Sequence, residues 1–303
     1  MAISRSQLVK ELEPGLNALF GLEYKRYENQ HAEIYTTESS DRAFEEEVML
    51  SGFANAQVKG EGSGVSFDEA QETFTARYTH ETVALAFAIT EEAIEDNLYD
   101  RLASRYTKAL ARSMSNAKQV KSVEPLINGL PTTDSFDSGD GVSLFNTSHP
   151  TVAGTFANTL ATQADLNETS LEQSLIDIGQ MSDERGLRIA ARGVKMIIPS
   201  ELQFTAERLM KSQGRTGTAD NDVNAIVSMG MIPQGYRVNN YLTDSDAFYI
   251  LTDVPNGMKM FNRAPLTTAM EGDFDTGNVR YKARERYSFG VSDPRGIFGV
   301  EGA

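Results

Sequence analysis

The sequence predicts an α+β chain. Three observations carry that reading: a glycine-tipped hairpin pattern before residue 90, a helix-forming run of about 30 residues after it, and a compact α/β stretch that gives way to long alternating strand. With 303 residues, 40% of them hydrophobic and 23% charged, the chain can bury a substantial core and is ordinary in composition for a globular protein.

Residues 1 to about 38 read as an arm. Leu8, Leu12, Leu16, Leu19 and Phe20 have helical spacing, and Pro14-Gly15 is expected to interrupt them. So little apolar surface cannot fold alone, and the arm should lie on its own core or on a neighbour. From 41 to 89, Phe44 to Val58 can run extended. Lys59-Gly60-Glu61-Gly62-Ser63-Gly64 is a flexible tip, and Phe74 to Val83 is rich in aromatic and β-branched residues. The pattern predicts a long hairpin with arms of about 15 residues, roughly 50 Å at strand rise. A ribbon of that length needs support from elsewhere in the chain or from another subunit.

Residues 90 to about 120 predict a long helix. Thr90 caps it, Glu91 and Glu92 occupy its first turn, and Ile94, Leu98, Leu102, Tyr106 and Leu110 form its apolar stripe. Residues 128 to 161 are loop-rich. Thr169-Ser170-Leu171-Glu172 reads as a capping box opening a helix that stops at Gly186. Val194 to Ile198 is a short strand ended by Pro199, Ser200 starts a helix through Leu209, and Gly214 to Thr218 reads as a mobile loop. Tyr236–Tyr241 and Ala247–Leu251 read as strands. Val279 to Val291 alternates apolar and polar residues with a basic row, Arg280, Lys282, Arg284 and Arg286, on one face. Asp293-Pro294-Arg295-Gly296 is a turn, and Ile297-Phe298 begins a last strand.

Composition excludes several function classes. The chain has no cysteine, so disulfide scaffolds, thiolate metal sites and thiol catalysis are out. Its histidines are His31, His80 and His149 alone. A net charge of −15 argues against a phosphate-binding surface. Neither a membrane span of ~18 apolar residues nor a signal peptide is visible, which fits use in a cytoplasm.

The candidate motifs are weak. Gly60 to Gly64 lacks the spacing of a phosphate loop and precedes a strand. Asp134 to Gly141, Asp220-Asn221-Asp222 and Asp273-Phe274-Asp275 are acidic turns without the pattern of a calcium loop. Ser148 beside His149 lacks a nucleophile elbow. The basic row reads better as a complement to an acidic partner surface, such as Glu45, Glu46 and Glu47 of a neighbour, than as a nucleic-acid site. No cofactor and no catalytic or metal site is expected.

The order of parts resembles the major capsid proteins of tailed phages with the HK97 fold, most of all the major head subunits of Mu-like phages and prophages. The resemblance rests on Tyr78-Thr79-His80 with Phe87 to Tyr99, Leu144 to Pro150, Ile198 to Leu202, Tyr241 to Tyr249, Tyr281 to Gly290 and Asp293 to Gly296. It implies an N-terminal arm (1–40), an extended loop (41–89), a peripheral domain around a spine helix (90–135 and 263–292) and an α/β axial domain (136–262 and 293–303). It further implies hexamers and pentamers closing an icosahedral shell around double-stranded DNA. A scaffolding protein, a portal and a decoration protein are the expected partners, with assembly in the host cytoplasm, a virion location and no membrane. Some members weld a loop Lys to a neighbour's Asn. Lys59 stands at the tip here, without a recognisable Asn pattern. Alternatives are an encapsulin-like nanocompartment shell, a hydrolase working through Ser148 and His149, and a tail or fibre protein.

Overall fold

A computed structural model describes residues 5–90, 92, 99–214, 222–273 and 277–303. Helix α1 (Arg5–Arg26) runs unbroken through Pro14, against expectation. Pro14 and Gly15 lie on the exposed side of the helix, away from its packed stripe. Leu16 and Phe20 are buried against the long helix α2 (Tyr99–Asn128), so the arm lies on its own core. Helix α2 also outlasts its expected end, passing Pro125 to stop at Gly129, where a Cβ would come within 2.6 Å of the Leu144 Cβ. Its buried stripe is Ala103, Thr107, Leu110, Ala111 and Met114, whereas Tyr106 is half exposed. A strict four-residue repeat drifts off a 3.6-residue helix within two turns, which is why that reading failed at Tyr106. Glu91, Ile94, Leu98 and the side chain of Leu102 lie outside the described residues.

The long strands form one mixed sheet in the order β1 (Thr36–Ser39), β10 (Met258–Gly272), β11 (Val279–Val291), β4 (Glu81–Ile89). β1 runs parallel to β10, and the other pairs are antiparallel. β10 was not expected: its outer half, Pro265 to Gly272, is too polar to read as strand alone, and β11 imposes it. Tyr281 and Ala283 of β11 pack on α1 and α2.

The second sheet has the order β12 (Ile297–Val300), β9 (Phe248–Thr252), β7 (Gly193–Ile198), β8 (Tyr236–Val238). Both faces are covered, which explains its continuous apolar runs. Met196, Ile198, Phe248, Ile250 and Phe298 face helices α3 (Glu168–Gln180) and α4 (Gln203–Lys211), and Ile226 of α5 (Ala225–Met229) joins them. Ile197, Tyr249 and Ile297 face the C-terminal end of α2 and Phe145. The capping box of α3 begins earlier than expected, at Asn167: its side chain accepts from the Ser170 N–H at 2.9 Å, and the Ser170 hydroxyl accepts from the Asn167 N–H. The helix also ends at Gln180, short of Gly186, because Met181 is already extended. Residues 215–218 of the expected mobile loop lie outside the described residues.

The turn Gln30–Glu33 ties helix α2 to the second sheet. The His31 N–H donates to Gln119 of α2 at 3.0 Å, while Lys195 of β7 donates to Glu33 at 2.8 Å. Two small ribbons, β2 (Phe44–Leu50) with β3 (Glu72–Thr79) and β5 (His149–Thr151) with β6 (Gly154–Phe156), complete the fold.

Candidate intersubunit surface

The expected hairpin is present, but its ladder is half the anticipated length. β2 and β3 pair from Phe44↔Thr79 to Leu50↔Glu72, and the Ser51 N–H to Gln71 carbonyl bond at 2.9 Å is the last rung. Residues 52–70 continue without a ladder to a turn closed by the Ser63 N–H on the Gly60 carbonyl. The ladder thus ends well short of the glycine tip at residues 60–64.

The root of this loop is firmly held. Tyr78 is buried, its ring lying where a Cβ on Gly290 would sit, 2.6 Å from its Cε1, and its hydroxyl bonds the Ser292 hydroxyl. Burial raises the Tyr78 phenol well above its ordinary range. His80, the one residue between β3 and β4, contacts Ser288 through Nδ1 and Ser40 through Nε2, both at 2.9 Å. Below the root, Arg295 is enclosed by Glu184 at 2.7 Å and Asp293 at 3.2 Å, and its guanidinium lies 4.1 Å from the centre of the Phe156 ring. Sequence reading missed this anchor. Its one visible signal is Tyr78 and Gly290 in long strands, and their meeting is a matter of tertiary geometry.

The outer part of the loop is bare. Val58 and Phe67 are 100% and 97% exposed, and Phe53 and Val65 are also exposed. Asp68 stays near the protein surface through the Ala54 N–H at 2.7 Å and Arg185 at 3.4 Å. Lys59 is exposed at the tip.

The acidic run divides between the two faces of β2. Glu45 accepts from Ser40 at 2.6 Å and Glu47 from Lys259 at 2.6 Å, so both are engaged within the chain. Burial works against the Lys259 charge, but Glu47 and Glu38 overcome it and raise its pKa. Only Glu46 points outward, 3.8 Å from Arg77, whose guanidinium also covers the Phe44 ring. The basic row is placed on one face: Arg280, Lys282 and Arg284 are exposed and Arg286 is half-buried. Arg280 pairs with Asp273, while Lys282 and Arg284 have no ion pair among the described residues. Small residues flank the row, Ala84, Ala86 and Ala88 on β4 and Thr267 and Ala269 on β10.

The Ser148–His149 dyad does not form. His149 is fully buried, with Nδ1 on Asp140 at 2.6 Å and Nε2 on the Asn158 side-chain oxygen Oδ1 at 3.0 Å, so neither nitrogen is available to a serine. Burial would raise the Asp140 pKa, but hydrogen bonds from His149, Ser138 and the Val142 N–H together lower it. Among the described residues no cluster of three or more His, Asp or Glu side chains is arranged to hold a metal ion. In the 134–141 turn, Asp137 is spent on the Gly139 and Gly141 N–H groups. The 220–222 and 273–275 turns fall partly outside the described residues. No described helix is long and apolar enough to cross a membrane.

A family model described as a phage capsid protein matches residues 72–300. In fold the chain is similar to a virus-like particle from Pyrococcus furiosus, 11% identical with a TM-score of 0.53 over 94% of this chain and 98% of that one. It is similar to the capsid of an empty GTA particle, 14% identical with a TM-score of 0.52 over 90% and 89%. It is also similar to the capsid of Myoviridae phage XM1, 11% identical with a TM-score of 0.51 over 89% of each chain. No curated protein matches. The fold is the HK97-like capsid fold expected from the sequence.

Proposed function

The chain belongs to the phage capsid protein family, and from that premise we propose how its surfaces serve a shell. It is a structural major capsid protein of the virion that associates with its own copies in an icosahedral shell, and it is not an enzyme. The family match favours a phage head over a nanocompartment.

In the proposed arrangement the subunits form hexamers and pentamers. Residues 1–40 are the arm, 41–89 the extended loop, 90–135 with 263–292 the peripheral domain, and 136–262 with 293–303 the axial domain. The loop of one subunit lies over its neighbour's peripheral domain. One observation carries this: residues 52–70 hold Val58 and Phe67 in full solvent with no ladder and no core beneath them. Exposed apolar side chains on a laddered root mark an interaction element. Arg280, Lys282, Arg284 and Arg286, with Glu46 and Lys59, belong to intersubunit contacts; Glu45 and Glu47 support them from within β2. The chain fits the Mu-like group of head proteins, assembling in the host cytoplasm on a scaffolding protein, with a portal and a decoration protein as further partners. A net charge of −15 keeps the packaged DNA from adhering to the wall.

The test is coexpression with the scaffolding protein, followed by sedimentation and negative-stain microscopy. Rings of five or six subunits or closed shells are expected, and monomers alone would overturn the proposal. Mature heads should give a single 33.3 kDa band in a denaturing gel, and a covalent ladder would instead identify Lys59 as a crosslinking residue.

A further inference from the structure

We infer that the outer edge of β4 receives residues 53–58 of a second copy's loop as an added β-strand. The inference rests on the shell reading and names the contact within it. β4 is the last strand of its sheet, and no backbone hydrogen bond reaches its free side among the described residues. From Thr82 to Ile89 the strand has no charge, no glycine and no proline. Such an edge is a template for another chain, and proteins that do not use it guard it.

Other edges among the described residues are guarded. β1 has four residues and carries Glu38, and β8 has three and carries Arg237. β2 carries Glu45, Glu46 and Glu47 and a register shift between Val48 and Leu50. β12 has four residues, and its Gly299 N–H is taken by the Asn158 carbonyl. Among the described residues β4 combines length with an uncharged edge, with Leu85 46% exposed and Ala84, Ala86 and Ala88 on the opposite face.

The occupant is on the same chain type. Residues 53–58 are uncharged, extended and without a ladder partner, and they alternate Ala54, Ala56 and Val58 with Asn55 and Gln57. Small faces meet small faces, and strand addition supplies backbone partners to the free edge of β4 and to a loop segment in which the Ala54 N–H is already taken by Asp68. A contact that joins a loop on one copy to a different element on the next is heterologous, and repeated around a rotation it closes a ring.

The absence of cysteine makes a clean test possible. Ala84→Cys or Ala86→Cys is combined in the full chain with Ala54→Cys, Ala56→Cys or Val58→Cys, and particles are assembled with the scaffolding protein. At least one pair should give a nonreducing ladder from dimer upward that a thiol reductant collapses, while single-cysteine controls stay monomeric. Particles that show no ladder with any pair would overturn the inference and leave the shell reading intact. If the wild-type chain forms no particles, both readings fall. Ala84→Lys with Ala86→Lys should leave the unfolding midpoint unchanged and lower particle yield at least tenfold. Undiminished yield would also overturn the inference.

Discussion

The root and the outer part of the extended loop are built on opposite principles. At the root three large side chains have an address in their own chain: Tyr78 over Gly290, His80 between Ser40 and Ser288, Lys259 between Glu38 and Glu47. Past the Ser51–Gln71 rung Arg185 still holds Asp68, but Val58 and Phe67 stand in water. Folding free energy is therefore spent on fixing the direction of the loop, and its outer residues are left free for another surface.

The largest effect should come from the floor of the root. Arg295→Ala leaves Glu184 and Asp293 buried without their cation, and removing one partner of a buried pair costs about 3–5 kcal/mol. Urea unfolding of the subunit measures it, and a loss below 1 kcal/mol would mean that the root is not anchored there. Gly290→Val comes next: it displaces the Tyr78 ring and should cost about 1–3 kcal/mol by overpacking. It should also raise protease cleavage within residues 52–70, a readout that a purely internal defect would not move.

Acid should separate the regions further. His31 is held down to about 4 by burial first and by the Lys118 charge second, against a hydrogen bond with Gln119. The unfolded chain takes up this proton near 6.5 and the folded chain only near 4, so stability falls as pH drops through that window. Urea midpoints at pH 7 and pH 5 should differ less for His31→Asn than for the wild type, and an equal slope would dismiss the effect. The smallest effect on stability is expected at Val58→Ser and Phe67→Ser, within about 0.5 kcal/mol as for ordinary surface changes. The same variants should fail to assemble, and normal particles would show that the outer loop is not a contact.

Much of the architecture was legible because it is periodic. The alternation from Val279 to Val291 placed β11 and its basic face, and the apolar runs at Val194 and Ala247 located the second sheet. What stayed hidden depends on neighbours. β10 is strand because β11 lies beside it, and the ladder of the loop ends well short of the glycine tip. Glu45, Glu46 and Glu47 looked like one acidic patch, yet a strand sends consecutive side chains to opposite faces. Ser148 and His149 are neighbours in sequence, but Asp140 and Asn158 occupy both ring nitrogens. The bare loop residues did carry a signal: isolated Val58 and Phe67 within a glycine-rich polar stretch have no local reason to be apolar.

His80 as the single residue between β3 and β4 has a mechanical meaning. One residue adds at most about 3.5 Å of contour, so the joint holds almost no slack. Tension drawn along a loop that is gripped elsewhere enters β4 at its first residue and spreads along the ladder running from Tyr287↔Glu81 to Val279↔Ile89. The side chain of His80 fastens this joint sideways, to Ser40 just past β1 and to Ser288 within β11. In the shell proposed above, such subunits would carry load as a woven fabric does, each loop anchored in one sheet and pulling on the next.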